Sequence, residues 1–203
     1  MSGPKQKPAD AEMKSDTKVR MIIIAAPSGA GKSSFVERVT AEFPRLCDTV
    51  TFTTRSIRAG ESEGHPYHFV SKERFLELRE NGFFVEWAVV HENLYGTPIY
   101  QLEDAWKNDK VIIMDIDVQG AETFKRTFPD AKTIFILPPS VDELRRRVTK
   151  RDGRIPADLE IRMKNAEREI EHAVHFDYQL VNDDFDKSYR EFKKIIEDLL
   201  GRR

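Results

Sequence analysis

Only one cysteine, Cys47, stands in the chain, so no internal disulfide can form; the usage fits a reducing compartment, with cytoplasm as the expected location. Long apolar runs are missing too. Stretches such as Met21 to Pro27 fall far short of the roughly 18 to 20 residues that span a bilayer, so no membrane role is expected. Neither charge is in large excess: 33 lysines and arginines against 35 aspartates and glutamates leave a formal charge of -2. No overall basic field therefore draws the chain to nucleic acid, and any site for a polyanion must be local. The first seventeen residues hold no aromatic and no secretory apolar core, and glycine stands at position 3 rather than 2, which removes the myristoylation pattern. They read as a disordered tail over 1–17, followed by one lobed domain over 18–201.

What is present is a rhythm of short aliphatic runs and amphipathic segments. Met21 to Ala26 reads as a strand buried on both faces, and Lys32 to Phe43 as a helix that Pro44 closes. Val50 to Thr54 predicts a strand, and Arg55 to Gly64 a loop. Ser71 caps a helix that stops at Asn81-Gly82, and Phe83 to Val90 is another strand. Thr97-Pro98 reads as the N-cap and first turn of a helix through Trp106. Val111 to Met114 and Thr133 to Leu137 are further buried strands. Ser140 with Glu143 forms a capping box for a helix to about Lys150, Pro156 to His175 a long charged helix, Tyr178 to Val181 a strand, and Asp186 to Leu200 a closing helix. Strands alternating with helices predict an α/β fold, doubly wound around a mostly parallel sheet.

The chemistry begins at the end of the first strand. Ala26-Pro27-Ser28-Gly29-Ala30-Gly31-Lys32-Ser33 is the GxxxxGK[ST] phosphate loop with alanine in place of the first glycine, and Ser34 comes next on the helix. Backbone N–H groups in such a loop point at phosphate oxygens, and the helix adds the positive end of its dipole. Lys32 is expected on the β and γ phosphates, the Ser33 hydroxyl on Mg2+, and Asp115, ending an apolar strand, on the same ion directly or through water. These residues predict transfer of a phosphoryl group from a magnesium-bound nucleoside triphosphate.

The rest of the chain points to the acceptor. Val50 to Glu61 with Gly64 and Tyr67, then Phe84-Val85-Glu86-Trp87, Asn93-Leu94-Tyr95-Gly96-Thr97, Asp115 to Gly120, Phe135 to Ser140 and Val181 to Asp184 together resemble the guanylate kinase family, in order, over roughly residues 20 to 200. The resemblance implies a P-loop NTPase fold with an inserted monophosphate-binding lobe over about 51–94, a lid over about 146–164, and a core formed by 18–50, 95–145 and 165–201. It implies transfer of the γ-phosphoryl group of ATP to GMP. Arg55, Arg58, Tyr67 and Tyr95 would hold the acceptor phosphate, being cationic or hydroxylic types suited to that anion. Glu86 would accept N1–H and N2–H of guanine, an adjacent donor pair that adenine lacks. Thr51, Gly96, Thr97 and Asp117 would complete the GMP site, Asn182 would meet the adenine of ATP, and Arg147, Arg151 and Arg162 would bring positive charge from the lid. Phe52 and Ile57 stand where this family commonly has serine or threonine and proline, and Lys150-Arg151-Asp152 where it has Gly-Arg-Gly. The rival is a guanylate-kinase-like binding module without catalysis, against which Lys32, Ser33 and the lid arginines argue.

Overall fold

The computed structural model describes residues 19–58, 60–90 and 92–201; the tail expected over 1–17 lies outside them. In chain order the elements are β1 (Met21–Ala25), α1 (Lys32–Glu42), β2 (Leu46–Cys47), β3 (Thr51–Thr53), β4 (Tyr67–Phe69), α2 (Lys72–Glu80), β5 (Phe84–Val90) and β6 (Asn93–Pro98). Then come α3 (Ile99–Lys107), β7 (Val111–Asp115), α4 (Val118–Thr127), β8 (Lys132–Leu137), α5 (Val141–Asp152), α6 (Leu159–Glu171), a 3-10 turn (His172–His175), β9 (Tyr178–Val181) and α7 (Phe185–Leu199). None of the helices among the described residues is long and apolar enough to cross a membrane.

The larger sheet is parallel throughout, in the order β2-β7-β1-β8-β9. Side chains alternate across a strand, so β1 serves two cores. Ile22 and Ile24 pack with Phe35 of α1, Leu144 of α5, Met163 of α6 and Phe192 of α7. Met21, Ile23 and Ala25 pack on the other face with Leu102 of α3 and Phe124 of α4. A strand apolar on both sides requires helices on both sides, which is the doubly wound arrangement that the aliphatic runs predict.

The smaller sheet, β4-β3-β6-β5, is mixed: β3 and β4 are parallel, and β6 runs antiparallel to β3 and β5. Its core is aromatic, with Phe75 of α2 stacked 4.5 Å from Phe84, centroid to centroid. Phe52 joins that cluster, 5.3 Å from Phe83 and 5.8 Å from Phe84, and also packs on His68 at 4.6 Å. The aromatic in place of a hydroxyl thus enlarges a core, whereas Ile57 stays 52 % exposed.

Several local expectations need correction. Thr97 does not cap α3: it belongs to β6, Pro98 holds the N-cap position without a side-chain bond, and the Thr97 hydroxyl donates to Glu86. Ser140 does cap α5, accepting from Glu143 N–H, but the Glu143 carboxylate turns to Arg146 and Arg147 and leaves the capping box half made. Helix α5 runs on through Arg151 and Asp152 and stops at Gly153, whose φ of 66° supplies the left-handed stop. The long helix expected from Pro156 begins at Leu159, after a turn closed by Leu159 N–H on the Pro156 carbonyl, and tightens to 3-10 at His172.

Candidate functional site

Strand β1 ends where the loop 26–31 begins. Gly29 and Gly31 have φ of 95° and 96°, a region that L side chains avoid. A Cβ on Gly29 would lie 2.8 Å from Val148 Cγ2, and one on Gly31 2.8 Å from Asn182 Nδ2, so glycine is required by space as well as by angle. Ala26, in the place of the usual glycine, is 7 % exposed and packs into the core beside Ile24, which absorbs its methyl group. Gly31 is the N-cap of α1, so the unpaired amides of the first turn open at the loop. Parallel pairing sets Ile24 of β1 opposite Asp115 of β7, which carries that carboxylate to the loop. There Ser33 Oγ donates to Asp115 Oδ2 at 2.8 Å, and Lys32 Nζ donates to the Ile116 carbonyl at 2.8 Å. Two hard oxygen donors side by side suit Mg2+, which takes few protein ligands and keeps phosphate and water for the rest. Among the described residues no cluster of three or more His, Cys, Asp or Glu side chains offers a fuller metal cage.

The opposite wall comes from the smaller sheet. Glu86 of β5 lies in register with Thr97 of β6, and Thr97 Oγ1 donates to Glu86 Oε1 at 3.1 Å. Burial pushes the Glu86 carboxyl up to about 7, with Asp117 adding to the rise and the Thr97 bond opposing it. Asp117 is itself the N-cap of α4, its Oδ1 accepting from Gly120 N–H at 2.7 Å. Tyr67 and Tyr95 meet edge to face at 5.8 Å, and burial, with the Asp115 charge behind it, pushes the Tyr67 phenol up. Arg55 Cζ lies 5.3 Å from the centroid of the Tyr67 ring.

Both walls and α5 enclose one cleft of about 590 Å³. Ala26, Pro27, Ser28, Gly29, Gly31, Lys32, Ser33 and Ser34 line it from the loop and its helix, with Asp115 beside Ser33; Thr51, Tyr67, Glu86 and Tyr95 line it from the smaller sheet; Asp117, Arg147 and Arg151 complete the lining. Arg147 is held by Glu143 at 3.0 Å and by the Asp183 carbonyl at 3.1 Å.

Other expected residues stand behind this lining. Ala30 is fully buried under the loop. Asn182, expected against adenine, is 4 % exposed and donates from Nδ2 to the Ala30 carbonyl at 2.8 Å, so it braces the loop from beneath. Thr97, 1 % exposed, supports Glu86 from the neighbouring strand. Gly96 faces the aromatic core, where an added Cβ would meet Phe75 and Phe84 at 2.9 Å. Arg55 lies outside the lining, paired with Glu61, and Arg58 is exposed on the same loop. Arg162 of α6 bonds Asp158 at 2.9 Å.

Glu169 of α6 lines the cleft, although no sequence motif points to it. Burial pushes its carboxyl up, opposed by the charge of Lys32. It stands among many charges on a helix, and no spacing sets it apart. Glu61, which carries no role in the motif reading, has one legible signal: an acid six residues after one arginine and three after another.

The sequence model of the guanylate kinase family matches residues 18–199. A guanylate kinase of Bdellovibrio bacteriovorus is 66% identical over 184 residues, covering 91% of this chain and 100% of that one. One from Nitratidesulfovibrio vulgaris is 42% identical, covering 89% of this chain and 88% of that one. Among solved structures, the crystal structure of guanylate kinase from Anaplasma phagocytophilum superposes with a TM-score of 0.72 at 33% identity, over 90% of this chain and 87% of that one.

Proposed function

We propose a division of labour for this chain, which belongs to the guanylate kinase family and transfers the γ-phosphoryl group of ATP to GMP, yielding ADP and GDP. The loop 26–34 cradles the triphosphate of ATP on its backbone amides and the N-terminus of α1. Lys32 leaves the Ile116 carbonyl for the β and γ phosphates. Ser33 and Asp115 would hold Mg2+, which when bound neutralises charge on the phosphates during transfer. Arg55, Arg58, Tyr67 and Tyr95 hold the phosphate of GMP. Glu86, set by Thr97 and flanked by Asp117 and Thr51, accepts N1–H and N2–H of guanine.

An oxygen of the GMP phosphate attacks the γ-phosphorus in line; the bond to the bridging oxygen breaks and ADP departs with that electron pair. The chain forms no covalent intermediate, so positioning and electrostatics carry the rate. Arg147, Arg151 and Arg162, in the lid over about 146–164, draw charge off the moving group and help exclude water. The lobe over about 51–94 closes on GMP against a core of 18–50, 95–145 and 165–201. The free thiol of Cys47 accords with the cytoplasm as the place of work.

The observation that carries this reading is the single cleft in which Lys32, Ser33 and Asp115 face Glu86. Coupled ADP release, measured with GMP, AMP, UMP and CMP in turn, tests it. GMP alone should turn over fast, because a buried carboxylate without its two donors is left unpaired. Preference for AMP would overturn the role of Glu86.

A further inference from the structure

A guanidinium carries five N–H donors in one plane, and their partners decide which edge it can offer a ligand. Arg55 commits its terminal fork to Glu61, from Nη1 to Oε2 at 3.0 Å and from Nη2 to Oε1 at 2.8 Å. The second Nη1 hydrogen goes to the Ser56 carbonyl at 2.8 Å. Nε–H and the outer Nη2–H remain, and they share the other edge of the plane. Tyr95, which lines the cleft, acts electrostatically on this guanidinium after the larger effect of Glu61. The rings of Tyr67 and Phe69 lie 5.3 and 5.5 Å from Cζ and limit tilting. Glu61 also acts on the main chain, since its Oε2 accepts the backbone N–H of Arg58 at 2.8 Å, inside a turn closed by Glu61 N–H on the Arg58 carbonyl. Both side chains of the pair are largely sheltered, 11% exposed for Arg55 and 18% for Glu61.

We propose that Glu61 is a positioning residue for the acceptor phosphate: it grips one fork of Arg55 so that the Nε and Nη2 edge is presented to the anion, and the same carboxylate fixes the backbone at Arg58. The proposal rests on reading Arg55 as a ligand of the GMP phosphate. Its sign is distinctive. A carboxylate beside an anion site repels the anion, so if Glu61 were only a counter-charge on Arg55, its removal would tighten GMP. If it positions, its removal loosens GMP although a repelling charge has gone.

The experiment is steady-state kinetics and thermal melting of the full chain carrying Glu61→Gln, Glu61→Asp, Arg55→Lys and the double change Arg55→Lys with Glu61→Gln. Glutamine offers one acceptor and turns an NH2 group on the guanidinium, and aspartate is one methylene too short to keep both contacts. KM for GMP should rise about tenfold in Glu61→Gln and severalfold in Glu61→Asp, with KM for ATP within about twofold and melting nearly unchanged. Lysine has no fork to align, so Glu61→Gln on top of Arg55→Lys should add less than about twofold. An unchanged or lower KM for GMP in Glu61→Gln, or an equal rise for ATP with a large fall in melting temperature, overturns the proposal; should glutamine prevent folding, Glu61→Asp decides by the same criteria. Arg55→Lys with wild-type KM for GMP would overturn the phosphate role of Arg55 itself, and the proposal with it. A strong Arg55 effect with no Glu61 effect sinks the positioning role alone.

Discussion

The two walls of the cleft are built on different principles. The phosphate loop is shaped mainly by backbone: a strand buried on every residue, two glycines with positive φ, and a helix N-terminus, with the Asn182 amide bracing it from beneath. The wall proposed to take guanine and the acceptor phosphate is side chain held by side chain: Glu86 by Thr97, Arg55 by Glu61, Tyr67 against Tyr95. The first arrangement suits phosphates common to every nucleoside triphosphate, since amides carry no record of the base. The second suits discrimination, because each ligand group has a matched partner that would otherwise be left buried and unpaired. The difference teaches where substitutions will act, with rate on one wall and selection on the other.

Lys32→Ala gives the largest expected change: kcat falls about a hundredfold to a thousandfold, the range for losing one preorganised donor to transition-state charge, while KM for GMP stays within about threefold. Comparable losses in both constants, in stopped-time product assays, would break the contrast between the walls. Next, Glu86→Gln should lower kcat/KM for GMP by about thirtyfold to a hundredfold, near 2 to 3 kcal/mol for weakening charge-assisted bonds, with KM for ATP unchanged. Third, Gly96→Ala should destabilise the fold by about 1 to 3 kcal/mol through overpacking, because its Cβ would press on Phe75 and Phe84 at 2.9 Å; denaturant melts read this directly, and an unchanged midpoint would mean the aromatic core yields.

The smallest effect concerns pH. Burial, which disfavours its charge, pushes the Glu86 carboxyl up to about 7. In the proposed role the charged form accepts guanine, so kcat/KM for GMP should fall about tenfold per unit as pH drops below about 7 and level off above it. Glu86→Gln should remove that limb and leave only the titration of the GMP phosphate. The sign for stability is opposite: a raised carboxyl binds its proton more tightly folded than unfolded, so the free protein should gain stability as pH falls from about 7 toward the ordinary 4.5.

The same contrast explains what is legible in the sequence. Met21 to Ala25 and Val111 to Met114 are apolar on both faces, so their strands announce themselves, and the loop between β1 and α1 carries its glycines, lysine and serine at fixed spacing. Local caps at Ser71 and Ser140 are equally visible, because their partners lie three residues away. The smaller sheet is harder. β4 spans three half-buried residues and β6 contains glycine and proline, so their strand character comes from neighbours distant in sequence. Thr97 shows the ambiguity well: a threonine before proline can cap a helix or support a carboxylate, and only pairing with Glu86 chooses. Asn182 belongs to a family motif, yet its direction is set by the Ala30 carbonyl across the fold. Glu169 gives no sign, since its meaning depends on Lys32, far away on α1.

The bond from Asn182 to Ala30 joins residues 152 positions apart. During synthesis the turn around Ala30 is therefore made well before the side chain that braces it. A chain lacking position 182 carries both glycines and the lysine of the motif but not the amide that holds the Ala30 carbonyl, so the motif can be present before its support is.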